Sequence, residues 1–167
     1  MVARTFVPPA SARWNVAIKA DSESIICHHD LAPWNLVRDG AKWVFIDWDG
    51  SGPGSLLWDL AYAAQSFVPL MANGDPVSDA KRLGHIVAGY GLSEAEIAAF
   101  IPVLATRTRA MYQLLYQSSL TGHQPWARLY QEGHGTYWEQ AAIYIEQNAE
   151  RWSTALRVLP PLYSNQK

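Results

Sequence analysis

The sequence predicts an α+β fold that is mostly α: one short β-hairpin on the N-terminal side, followed by about five helices. Three observations carry this. Leu36-Val37 and Trp43-Val44-Phe45-Ile46 flank Arg38-Asp39-Gly40, and Asp-Gly between two apolar runs is a strong hairpin signal. From Ser55 onward apolar residues recur at helical spacing. Two capping boxes, Ser93-x-x-Glu96 and Thr136-x-x-Glu139, mark helix starts.

Taken in order, residues 1–14 with Pro8-Pro9 read as an arm, 15–160 as the folded lobe and 161–167 as a tail. Ile25-Ile26-Cys27 is an apolar run suited to a buried strand, and the hairpin follows it. Gly50-Ser51-Gly52-Pro53-Gly54 reads as a turn segment. Ser55 or Asp59 can serve the first turn of the next helix, which should run to about Phe67 and stop before Pro69. Met71 to Pro76 reads as loop, and Ser78 as the cap of a helix ending at Gly89-Tyr90-Gly91. The helix opened by Ser93 carries Ile97, Ile101, Leu104, Met111 and Leu115, with Pro102 expected to kink or break it. After a break at Gly122 to Pro125, Trp138, Ala142, Ile145, Ala149, Trp152 and Leu156 form one stripe, which Pro160-Pro161 should end. Eight Trp and eight Tyr read as core packing and helix-face anchors.

Composition narrows the function. A chain of 167 residues, 49% hydrophobic, can bury a real core. A net charge of −2 without a basic block argues against nucleic acid as a partner. One cysteine, Cys27, excludes an internal disulfide and fits a reducing compartment. There is no apolar run of about 18 residues and no signal-peptide pattern, so no membrane contact and a cytoplasmic location are expected.

The chemistry concentrates in residues 28–49. His28-His29-Asp30 is followed by Asn35, five residues after the acid, and then by Ile46-Asp47-Trp48-Asp49. If the hairpin forms, Asn35 enters one strand and Asp47 leaves its partner, so the two meet at one mouth. An amide and a carboxylate there, beside a second acid, suit a hard divalent cation next to a general base, as phosphoryl transfer requires. Asp30 is the candidate base, Asn35 and Asp47 are candidate Mg²⁺ ligands, and Asp49 either takes a second ion or faces solvent.

This constellation resembles the aminoglycoside phosphotransferase and choline kinase-like family, a branch of the protein-kinase-like fold. The likeness runs from about residue 14 onward and is sharpest from Ile25 to Ala64. His28 to Asn35 matches the family's H-G-D-x-x-x-x-N loop, with His29 where glycine is usual. The resemblance implies a kinase-like C-terminal lobe and ATP as the phosphoryl donor. In it Asp30 would be the base, with Asn35 and Asp47 holding Mg²⁺ against the nucleotide. His28 would brace the loop by hydrogen bonds, and Asp59, in Trp58-Asp59-Leu60-Ala61, would support it. The acceptor would be the hydroxyl of a small molecule.

Other readings were weighed against this one. Val16-Ala17-Ile18-Lys19 looks like the strand whose lysine grips ATP phosphates. Only eight residues separate Lys19 from His28, so it reads as a surface lysine near a strand. The 27 residues before His28 are too few for a nucleotide-binding lobe. The alternative is therefore a truncated or split kinase lobe that acts by binding a partner, with its open face covered by self-association, by the Val2–Trp14 arm or by a separate complementary lobe. A metal-dependent hydrolase would need another histidine upstream of His28. Gly50 to Gly54 lacks the Gly-Lys-Ser/Thr ending of a P-loop. Cys27 reads as an inert buried thiol, and His85, His123 and His134 as surface or helix-end residues. Arg107 and Arg109 read as a solvated helix face, with a substrate contact as the alternative. Glu94, Glu96, Glu132 and Glu139 would meet either a cationic acceptor or water.

Overall fold

A computed structural model describes residues 6–158. Its elements run β1 Ile25–Cys27, β2 Leu36–Asp39, β3 Lys42–Phe45, β4 Gly52–Gly54, then α1 Leu56–Phe67, α2 Pro76–Tyr90, α3 Glu94–Thr121, the single turn α4 Trp126–Leu129 and α5 Gly135–Val158. The fold is α+β and mostly α. Its helical part is four long helices plus α4.

The hairpin forms where expected, with Leu36 opposite Phe45 and Asp39 opposite Lys42. Its two central residues are Gly40 and Ala41, and Gly40 at φ 56° supplies the positive φ that such tight turns need. Residues 52–54 are not turn, as the sequence suggested, but β4, which pairs antiparallel with β1. Gly54 allows this close approach to β1, and Gly52 makes room for the 14–16 segment. A Cβ on Gly52 would collide with the Val16 side chain, and one on Gly54 would lie 2.7 Å from Cys27 Sγ.

Several helix boundaries also differ from expectation. The cap of α2 is Asp75, whose carboxylate accepts from the Val77 and Ser78 amides, and Pro76 is its first helical residue. Pro at that position loses no hydrogen bond, because the first-turn amides have no helical partner. Pro102 does not break α3, which runs 28 residues. It lies on the exposed face, where the carbonyl it leaves unpaired can meet water. Ser93 and Glu96 form the expected capping box, whereas Thr136 and Glu139 do not. The chain reaches α5 through a kink at Gly133, φ 101°, with Gly135 already helical, and an N-cap needs an extended residue. No strand forms around Lys19, which is exposed. Pro160-Pro161, the 161–167 tail and the first five residues of the arm lie outside the described residues. Among the described residues no helix is long and apolar enough to cross a membrane.

Two apolar clusters hold the helices together. The larger joins α1, α2, α3 and α5 through Leu60, Leu83, Phe100, Leu104, Ile145 and Trp152. Each such fully buried side chain stabilises by about 1.5–3 kcal/mol. The smaller joins Ala32 of the 28–35 loop to Tyr62, Met111, Leu115 and Trp138, so the loop rests on α1 and α3 rather than on solvent. Of the tryptophans, Trp58, Trp138 and Trp152 are core, but Trp34, Trp43 and Trp48 are exposed around the hairpin.

Gly54→Ala should destabilise the fold by about 1–3 kcal/mol, since its methyl group must displace Cys27 or His29. Gly50→Ala meets nothing within 4 Å and should melt close to wild type. Thermal unfolding of the two variants checks the contrast.

Candidate active site

The 28–35 loop is held from below by Asp59. Its Oδ2 accepts the His28 amide at 2.9 Å and its Oδ1 the His29 amide at 2.8 Å. Ser55, not Asp59, caps α1, accepting from the Trp58 amide. Asp59 is thus free to reach across to the loop from one turn into the helix.

His28 is fully buried and ties the loop to the segment after β3. Its Nε2 lies 2.9 Å from the Ile46 carbonyl, and its Nδ1 accepts the Asp30 amide at 3.3 Å. A carbonyl only accepts, so the proton sits on Nε2 and one neutral tautomer satisfies both bonds. Phe45 and Trp48 pack on the ring.

His29 has φ 66°, a left-handed conformation that costs a residue with a Cβ about 1–2 kcal/mol. Glycine is the natural occupant. Here the imidazole offsets the cost by donating Nε2–H to the Gly52 and Pro53 carbonyls, each at 3.2 Å. Burial pushes the His29 pKa below its ordinary value of 6.5, outweighing the attraction of Asp59.

Asp30 and Asn35 face each other across the loop. Asn35 Nδ2 donates to the Asp30 carboxylate at 2.8 Å and to its carbonyl at 3.0 Å. A carboxylate only accepts, so the Asn35 nitrogen is committed to Asp30 and its amide oxygen faces elsewhere. Tyr62 lies near Asp30, whose charge adds to burial in raising the tyrosine pKa. Asn35 carbonyl accepts the Ile46 amide at 2.9 Å, so the hairpin brings Asn35 and the Asp47 segment to one end.

Asp47 is exposed and, like His29, left-handed at φ 66°. Its pKa is raised, first by the charge of Asp49 and a hydrogen bond with it, and further by Asp30. Asp49 and, more weakly, Asp30 thus repel the Asp47 charge, and His28 offsets only part of this. Among the described residues no three His, Cys, Asp or Glu side chains form a ready metal cage. The residues fit a metal nonetheless, because Mg²⁺ is usually held by one or two carboxylates plus substrate phosphates.

A cavity of about 650 Å³ opens beside Asp30. The side toward the 28–35 loop is His29, Asp30, Asp49 and Tyr62, and the far side is α3 with the His123–Trp126 turn. Asn15 to Ile18, next to the arm, also line it. None of Glu94, Glu96, Glu132 and Glu139 does. Glu96 belongs to the α3 cap and Glu132 pairs with Arg128.

Arg107 is the residue the sequence placed wrongly. It is not on a solvated face but buried in the cavity wall. Its guanidinium lies over the rings of Trp58 and Tyr62 and donates to the His29 carbonyl at 3.2 Å. The spacing offered a signal, since position 107 falls on the stripe running from Leu104 to Met111. Arg109 pairs with Glu146 at 2.6 Å.

Against known proteins, the family model described as Phosphotransferase enzyme family matches residues 9–101, more than half of the chain. No curated protein and no solved structure matches. The matched segment contains Asp30, Asn35, Asp47 and Asp59 and stops before Arg107.

Asp59→Ala leaves two buried amides without acceptors and should cost at least about 2 kcal/mol, read by denaturant unfolding. His29 adds an acid sensitivity. Its folded pKa is depressed, so the unfolded chain takes the proton first. The contribution of neutral His29 is complete above about pH 6.5 and is lost as pH falls below it. His29→Gly should flatten that part of the stability–pH curve, with little loss of stability at pH 8.

Proposed function

The chain belongs to the phosphotransferase enzyme family, and from that membership we propose that it transfers the γ-phosphoryl group of ATP to a hydroxyl of a small molecule, with Mg²⁺. The observation that carries the reading is one arrangement. Asn35 is bonded to Asp30, the hairpin draws the Asp47 segment to the same end, and a cavity of acceptor size adjoins Asp30.

In this reading Asp30 orients the acceptor hydroxyl and takes its proton as the new O–P bond forms and the bond to ADP breaks. Asn35 holds the Asp30 carboxylate in place by a hydrogen bond, with Tyr62 close by. Asn35, through its amide oxygen, and Asp47 are the metal ligands, with Asp49 beside them. Mg²⁺, when bound, neutralises charge on the transferring phosphate. His28 and Asp59 fix the loop so that Asp30 needs no rearrangement at the moment of transfer.

A second reading keeps this site but gives further phosphate contacts to a separate lobe or a second copy. The apolar surface around the hairpin favours it: Val37, Trp43, Val44, Ile46 and Trp48 are all more than 40% exposed, and soluble monomers rarely leave such patches bare.

Transfer from labelled ATP to a panel of hydroxylated small molecules tests the activity. Asp30→Asn should lower the rate by about 10²–10⁴-fold. Asp47→Asn should weaken Mg²⁺ binding, read by calorimetry with ADP present. Undiminished transfer by Asp30→Asn removes the assignment of the base. Mass in solution separates the two readings, a monomer that turns over unaided supporting the first.

A further inference from the structure

The cavity wall carries a charge, Arg107, only part of whose hydrogen-bonding capacity the loop uses. Arg107 spends one hydrogen bond, from Nη2, on the His29 carbonyl. Its Nε and Nη1 are buried and have no partner. A buried guanidinium with idle donors is costly unless something accepts from it. The nearby carboxylates are engaged elsewhere, Asp59 by the His28 and His29 amides and Asp30 by Asn35. The cavity is where an acceptor group can come from, because Arg107 lines it.

The rest of the far wall is apolar at Met111, Leu114, Pro125 and Trp126 and polar only at His123 and Gln124, with no carboxylate among them. Among the residues lining the cavity the only acids are Asp30 and Asp49, both on the side of the proposed phosphoryl transfer. A polycationic amino sugar would find no carboxylate on this wall and one buried cation. We infer that the cavity takes a hydroxylated carboxylate with an apolar body, its carboxylate received by Arg107 and its hydroxyl turned toward Asp30. This deepens the phosphotransferase reading and rests on it for the role of the hydroxyl. The two recognition elements lie on different parts of the chain. Asp30 is inside the family-matched segment and Arg107 outside it, so acceptor choice is set apart from the transfer machinery.

The test uses the full chain without nucleotide or metal and three probes of one shape. These are para-(hydroxymethyl)benzoate, its amide, and para-(hydroxymethyl)benzylamine, with binding read by calorimetry. The acid should bind at least about tenfold tighter than the amide, and the amine weakest. Arg107→Met should erase the preference of acid over amide, and Arg107→Lys should restore part of it, a pattern that loss of packing alone does not produce. Should Arg107→Met fail to fold, the order in wild type decides. Equal affinity across the three, tightest binding of the amine, or no binding of the acid at millimolar concentration overturns the inference. Failure of the phosphotransferase reading is seen separately: with ATP and Mg²⁺ no probe or panel molecule is phosphorylated, while the charge order of binding stands.

Discussion

Both carboxylate oxygens of Asp59 are committed to backbone amides of the 28–35 loop, and the geometry of the site depends on that commitment. The acid lies in the first turn of α1, where negative charge is favoured by the unpaired amides at a helix start. Because Ser55 already caps the helix, Asp59 can satisfy the loop instead. The two bonds fix consecutive peptide units, and with them the direction in which Asp30 leaves His29. A loop that is otherwise short of regular structure thereby inherits the rigidity of a helix packed in the main core.

From that clamp the rest of the site can be followed outward. His28 carries the constraint from the loop to Ile46, and Asn35 carries it from Asp30 to the same segment through its carbonyl. The loop and the end of β3 are thus pinned to each other twice, once on each side of Asp30. What is left exposed is the set of acids, Asp47 and Asp49, whose mutual repulsion raises the pKa of Asp47. The bonds that hold the loop are made inside, and the acids sit at the surface, where phosphates and a cation can reach them. On the inner side lies Arg107, a buried cation beneath the loop whose donors are mostly idle.

Much of this arrangement was legible in the sequence, for a physical reason. The hairpin is local: Asp39-Gly40 and two apolar runs determine it, and it alone brings Asn35 and the Asp47 segment together. The Ser93 box and the α3 and α5 stripes are equally local signals. What escaped was non-local or context-dependent. Strand β4, Gly-Pro-Gly, has no strand-forming side chain and exists because β1 approaches it from far along the chain. Ser78 looked like a cap, but Asp75-Pro76 upstream is a better start. Thr136 had the residues of a capping box, but the chain was already helical when it arrived. Arg107 was assigned by its charge, although its position on the α3 stripe pointed inward. Burial of a cation depends on Trp58 and Tyr62 arriving from another helix.

The two non-glycine residues with positive φ, His29 and Asp47, both sit at the site and nowhere else among the described residues. Neither conformation is stable on its own for a residue with a Cβ, so each must be enforced from outside. For His29 the enforcement is visible: Asp59 below, Arg107 on its carbonyl, and the β4 carbonyls on its ring. For Asp47 it comes from its neighbours, since Ile46 is bonded through its carbonyl to His28 and through its amide to Asn35. One turn carries the candidate base into place and the other carries a metal-ligand candidate. Strain of this kind persists only where surrounding contacts over-determine it, and here the same few hydrogen bonds that over-determine it also define the site. A substitution that relaxed either turn would therefore alter the spacing of the acids before it altered the fold.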